Sequence, residues 1–293
     1  MHAALLTLAL VFPTFSFQDT PEEPPVAQAP FDSIEWVEGP GEGILGDRAK
    51  VAVPEGFRFT GAAGARMLLE AMENPTNGRE LGLLANEPDE NGDNWFVVFE
   101  FDESGYIKDE DRDELDADAL LASMKESNER GNEFRKSRGW ETIDLIGWKR
   151  EPFYDPRTQN LTWATHARAQ SGGDSVNWSV RVLGREGVMN IDLVLGPEAL
   201  DGALPEFEKV IDSFQYTDGQ RYAQFTAGDK VAEYGLAALV LGGGAAVAAK
   251  TGILAKFWKF ILFGLLAIGA VAKKLWAFVT GRSSEKSPEG ETN

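Results

Sequence analysis

The chain has 293 residues, 43% of them hydrophobic and 26% charged, and a formal net charge of −19. It contains no cysteine, which excludes disulfides, thiolate catalysis, thiolate zinc sites and iron–sulfur clusters. From Lys250 onward seven basic residues stand against three acidic ones, so the rest of the chain carries −23, and a body that acidic repels nucleic-acid phosphates.

Residues 1–18 hold no Asp, Glu, Lys or Arg, and an apolar run from Ala3 to Phe17 reads as a signal peptide, although only His2 stands where a basic residue is usual. Residues 19–33, rich in Pro, Glu and Ala, read as a disordered linker. An extracytoplasmic domain is expected over 34–226. Strand signals run from Lys50 to Phe59 and from Trp95 to Phe101. An acidic stretch follows from Asp102 to Asp118. Asp116 then suits the N-cap of a helix that reaches Arg138 and stops at Gly139, with Leu120, Leu121, Met124, Gly131 and Phe134 on one face. Four strand-like segments come next, at 142–149, 161–169, 176–183 and 187–195, then a helix over 200–214. Strands in runs with segregated helices predict an α+β fold with a mostly antiparallel sheet.

From Val231 the chain turns apolar. Residues 231–249 approach the length that crosses a bilayer, with Gly235, Gly242 and Gly243 as small residues for helix–helix packing. A second apolar run over 253–279 has lysines and tryptophans at its ends and reads as a second span or an interfacial helix. Residues 282–293 read as a disordered tail. By charge the acidic body belongs outside and Lys250, Lys256 and Lys259 inside; a second crossing would put Lys273 and Lys274 outside, against that rule.

No motif carries a recognisable chemistry. Gly41-Glu42-Gly43-Ile44-Leu45-Gly46 matches a dinucleotide fingerprint in letters, but a strand-like segment follows where the motif needs a helix. Asp109 to Asp113 alternates acids as calcium loops do, yet Glu114 and Leu120 occupy the positions that require Gly and Glu. His166 stands alone without a nucleophile elbow. No cofactor or metal is implied. Trp140, Trp148, Trp163 and Trp178 cluster with Phe153 and Tyr154, and read first as sheet core. The arginines interspersed among them, Arg135, Arg138, Arg150, Arg168, Arg181 and Arg185, read as structural ion-pair partners. The alternative is a ligand or partner face built from Arg135, Trp148, Tyr154, Trp163 and Arg185.

The order of several short signals resembles a family. They are Gly105-Tyr106-Ile107-Lys108-Asp109; Asn132, Arg135 and Gly139; Gly147-Trp148, Pro152 and Tyr154-Asp155; Leu161 and Trp163-Ala164; and Leu183-Gly184-Arg185 with Gly187. The last cluster is Tyr222, Phe225, Asp229-Lys230, Ala232 and Tyr234 to Leu239. Together they resemble the uncharacterised membrane-anchored bacterial proteins grouped as DUF2167. The resemblance implies a signal peptide, an extracytoplasmic domain and a C-terminal anchor, and no activity. Pro54-Glu55-Gly56-Phe57 and Ile211-Asp212-Ser213-Phe214 also resemble the PsbP-like fold. Three functions are expected in order: a non-enzymatic interaction or scaffold module of the bacterial inner membrane, with lipid and an envelope protein as partners; an envelope ligand-binding or sensory domain; and an envelope hydrolase using the carboxylates of 109–118.

Overall fold

The structure, a computed structural model, describes residues 33–86 and 95–242. The expected signal peptide, the second apolar run and the tail lie outside the described residues. Contacts divide the chain into two units, 1–34 and 35–293. The architecture belongs to the second.

It is an α+β fold. One antiparallel sheet is built from β1 (Val37–Glu38), β4 (Phe57–Gly61), β5 (Glu80–Asn86), β6 (Phe96–Asp102), β10 (Val188–Leu195), β9 (Asp174–Leu183), β8 (Asn160–Ala169) and β7 (Ile143–Asp155), in that spatial order. A small antiparallel sheet holds β11 (Gln215–Tyr216), β3 (Ala49–Val53) and β2 (Gly41–Leu45). Helices α1 (Ala62–Ala71), α2 (Ala117–Ser137), α3 (Leu200–Ser213) and α4 (Leu236–Val240) complete it.

Side chains that alternate along the strands go to opposite faces of the large sheet. One face carries Phe59, Phe99, Ile191 and Leu193, and packs against the small sheet and against Ala203, Phe207 and Val210 of α3. The other face has two separate apolar areas. Leu83 and Val98 meet Ala65 and Leu69 of α1. Leu161, Trp163 and Val188 meet Leu120 of α2 and Leu236, Leu239 and Val240 of α4, forming a second core.

Helix α2 forms where the sequence predicts it. Asp116 accepts the Ala119 N–H at 3.0 Å at one end. At the other, Gly139 takes φ +74°, the Gly139 N–H reaches the Lys136 carbonyl at 3.1 Å and the Trp140 N–H reaches the Arg135 carbonyl at 2.9 Å, a Schellman termination. Helix α1 and strand β5 have no counterpart in the sequence reading. Gly61 offers no side-chain cap to α1, and β5 reads Glu-Leu-Gly-Leu-Leu-Ala-Asn, a helix-like composition. Gly82 of β5 and Gly43 of β2 are needed because the Phe59 ring lies against both; a Cβ would come within 2.4 Å and 2.8 Å of it. That packing accounts for Gly43 in the glycine-rich letters at 41–46, which form β2 and the turn after it, where Gly46 takes φ +61°.

The expected span at 231–249 is described only to Gly242, and over those residues it is not one helix. Val231 forms a bridge with Tyr106, α4 is five residues long, and Gly242 turns at φ +94°. Gly243 lies outside the described residues. Among the described residues no helix is long and apolar enough to cross a membrane.

Candidate functional site

Strands β7 and β8 place Trp148, Tyr154 and Trp163 together on the second-core face. Tyr154 and Trp163 are 6% and 3% exposed, so the chain's own residues cover them. Two of their polar atoms have local partners. The Trp148 indole N–H donates to the Ala117 carbonyl at 3.0 Å, and the Tyr154 hydroxyl donates to an Asp109 carboxylate oxygen at 3.1 Å. Burial, with Asp109 alongside, pushes the Tyr154 phenol far above its ordinary pKa. Burial does the same to Tyr222, whose hydroxyl donates to the Ile107 carbonyl at 3.0 Å.

What covers these aromatics is the segment after β11. Residues 217–242 run back along one end of the large sheet. The Arg185 N–H donates to the Gln220 carbonyl at 2.9 Å, and Gly184 bridges Arg221. Tyr106 stacks on Tyr222 with centroids 4.4 Å apart and lies 4.2 Å from the Phe225 ring. Tyr106 also donates its N–H to the Lys230 carbonyl at 2.8 Å and accepts from the Ala232 N–H at 2.9 Å. Asp111 then holds the start of α4, accepting the Leu236 and Ala237 N–H groups at 3.0 and 3.3 Å. Gly235 is required there, because a Cβ would sit 2.4 Å from the Asp111 carboxylate. Its smallness serves this docking within the domain.

The sheet end beneath the segment is a charge network centred on Arg48. Its guanidinium meets Glu186 at 2.5 Å, Glu103 at 2.6 Å and Asp47 at 3.3 Å, and lies 4.9 Å from the Phe101 ring centroid. Arg185 pairs with Asp229 through two 2.7 Å hydrogen bonds. That pairing holds the Asp229 carboxyl well below its ordinary range. Two adjoining depressions of about 620 Å³ and 280 Å³ share Arg48 and Glu103; the larger also takes in Arg79, Phe101 and Asp102. Guanidinium–carboxylate pairs of this kind fix geometry; no nucleophile stands beside a base in them.

Of the five residues expected on one face, the structure brings three together. Arg185 lies at the sheet end with Asp229. Arg135 lies at the far end of α2, bonded to the Glu141 carbonyl and, at 3.0 Å, to the Glu73 carbonyl. The expected ion pairing holds for Arg168 with Asp174, Arg181 with Asp192 and Arg185 with Asp229. Among the described residues it does not hold for Arg135, Arg138 and Arg150, whose guanidiniums lie over aromatic rings instead. His166 lies 3.1 Å from Asp174. Asp109 and Asp111, which stand in the sequence's acidic stretch, are internal acceptors. Sequence reasoning missed Arg48, Tyr106 and Asp111 as organising residues. The one signal for Tyr106 was the family resemblance, which does not include Asp111: the segments that carry it at 105–109, 147–155, 161–164, 183–187 and 222–239 converge around this core.

A family model described as "Protein of unknown function (DUF2167)" matches residues 37–277. No curated protein matches the chain. Among solved structures the chain is similar to cyanobacterial PsbP (CyanoP) from Synechocystis sp. PCC 6803, at 16% identity over 65% of this chain and 96% of that one, with a TM-score of 0.34. It is also similar to the Saccharomyces cerevisiae Ran-binding protein Mog1p, at 10% identity over 66% and 98%, with a TM-score of 0.32.

Proposed function

We propose, for a chain that belongs to the DUF2167 family of proteins of unknown function, that it is a non-enzymatic interaction module held at the bacterial inner membrane by the residues beyond 242, with its acidic body outside. The observation that supports this reading is the docking of 217–242. The aromatics that a ligand cleft would need are covered by the chain's own residues. The segment that leads to the expected anchor is bound into the domain by Asp111, Tyr106 and Arg185. A domain joined this firmly to its anchor presents one fixed surface to partners, whereas a sensor on a loose tether would not. Membrane lipid and an envelope protein are the partners it would meet.

Crosslinking in native membranes, followed by purification and mass spectrometry, tests this. A protein partner recovered in stoichiometric yield is expected. A lone protein carrying a reproducible small molecule would shift the function to ligand binding, for which the depression lined by Arg48, Arg79 and Phe101 is one candidate site. The hydrolase reading is the weakest, because Asp109, Asp111 and Asp116 already serve as acceptors for Tyr154, α4 and α2.

A further inference from the structure

We infer that the C-terminal tip of α2, residues 134–140, is a contact site for anionic lipid headgroups; this rests on the reading that the chain is anchored in a bilayer. The segment reads Phe-Arg-Lys-Ser-Arg-Gly-Trp, three cations with no acid, in a chain of net charge −19. Elsewhere acids are abundant and cations such as Arg48, Arg168, Arg181 and Arg185 use them. Among the described residues, no carboxylate lies within ion-pair distance of Arg135, Lys136 or Arg138.

The tip is also rigid and partly apolar. The Schellman turn at Gly139 folds Trp140 back against Phe134, edge to face at 6.0 Å, and Phe134 remains 44% exposed. The Arg138 guanidinium lies 5.4 Å from the Phe134 centroid and 5.7 Å from that of Trp140, and Arg135 also lies 5.7 Å from Trp140. A guanidinium over a ring still has N–H donors to offer a phosphate. Aromatic rings at headgroup depth with cations reaching phosphates are the usual chemistry of a membrane interface. The exposed Phe134 ring beside these cations favours a bilayer over an acidic protein.

The absence of cysteine gives a clean test. Ser137→Cys places a single polarity-sensitive fluorophore on an exposed residue of the tip. Full-length protein is reconstituted with vesicles of phosphatidylcholine alone, or with about one third phosphatidylglycerol, then floated and its emission read. Flotation with both vesicles is expected, with a blue shift only on the anionic ones. Lys136→Glu with Arg138→Glu should weaken that contact roughly fivefold or more per cation, as should high salt. Arg135 is left in place because it ties Glu141 and Glu73 to the helix. Flotation with both vesicles and an unchanged emission overturns the inference while anchoring stands. Flotation with anionic vesicles only removes anchoring and supports the tip; flotation with neither removes both. A shift in native membranes but not in protein-free anionic vesicles assigns the tip to an acidic protein and overturns the lipid contact.

Discussion

Glu100 shows how a single side chain loads the sheet. It faces Glu80 across β5 and β6, and its partner on β10 is Asn190, two residues from Asp192 on the same face. Burial, followed by the Asp192 charge, raises its pKa; Arg79 and Arg181 oppose the shift and Glu80 adds to it. A carboxyl with a raised folded pKa destabilises the fold above that pKa, and the cost disappears as pH falls through it. Glu100→Gln should therefore raise stability at neutral pH by about 0.2–1 kcal/mol, the range of cross-strand charge contacts. The gain should fade at acidic pH, as melting curves of both proteins across pH would record. Asp174 has the opposite sign. Arg168 and His166 hold it at about pKa 2, so its contribution is complete above the unfolded carboxylate value and is lost only as pH falls toward about 2. The crowding at Glu100 was not legible in the sequence, because the acids around it come from strands far apart in the chain. A local signal did suffice for Asp116, whose role depends only on the next three residues.

Elements were legible when their own ends announced them. Helix α2 had an acidic N-cap and a terminal glycine; the predicted N-cap, Asp116, is the observed one, and the predicted end at Arg138 is one residue beyond Ser137, the last of the helix. Helix α1 begins at a glycine with no capping side chain, and β5 is held as a strand by its register with β4 and β6. Strand β7 runs to Asp155, beyond the expected Lys149, because bulges carry its pairing with β8 past Arg150 and Pro152. Its outer edge is closed by α2. Asn132 donates to the Ile143 carbonyl at 3.0 Å and accepts its N–H at 2.9 Å, while Asn128, one turn earlier, donates to the same carbonyl and accepts the Leu145 N–H. Two asparagines thus stand in for a neighbouring strand. Asn132→Ala should cost about 1–3 kcal/mol, since it leaves the Ile143 N–H without its partner while Asn128 still holds the carbonyl, and denaturant unfolding would measure it. Asparagine at that spacing reads from sequence as a polar helix face; only the fold shows what it bonds.

On the scale of the whole molecule, the domain ends later than its composition suggests. The expected boundary at 226 falls inside the packing of 217–242, because the apolar residues Leu236, Leu239 and Val240 are shared between a run that looks membrane-bound and the second core. Asp111→Ala removes two hydrogen bonds at the start of α4 and should loosen the segment by about 1–2 kcal/mol, in the range of a lost helix cap. Faster hydrogen exchange at the Leu236 and Ala237 amides, with the first core unchanged, is the expected result. The docking also ties stability to the order of synthesis. Residues 236–240 are made after every described strand, so a growing chain exposes Ile107, Leu161 and Trp163 until almost the whole domain has been translated. That interval is when a chaperone has something to hold. A chain stopped at 226 would keep the patch open permanently and is expected to aggregate, while one stopped at 242 carries the residues that close it.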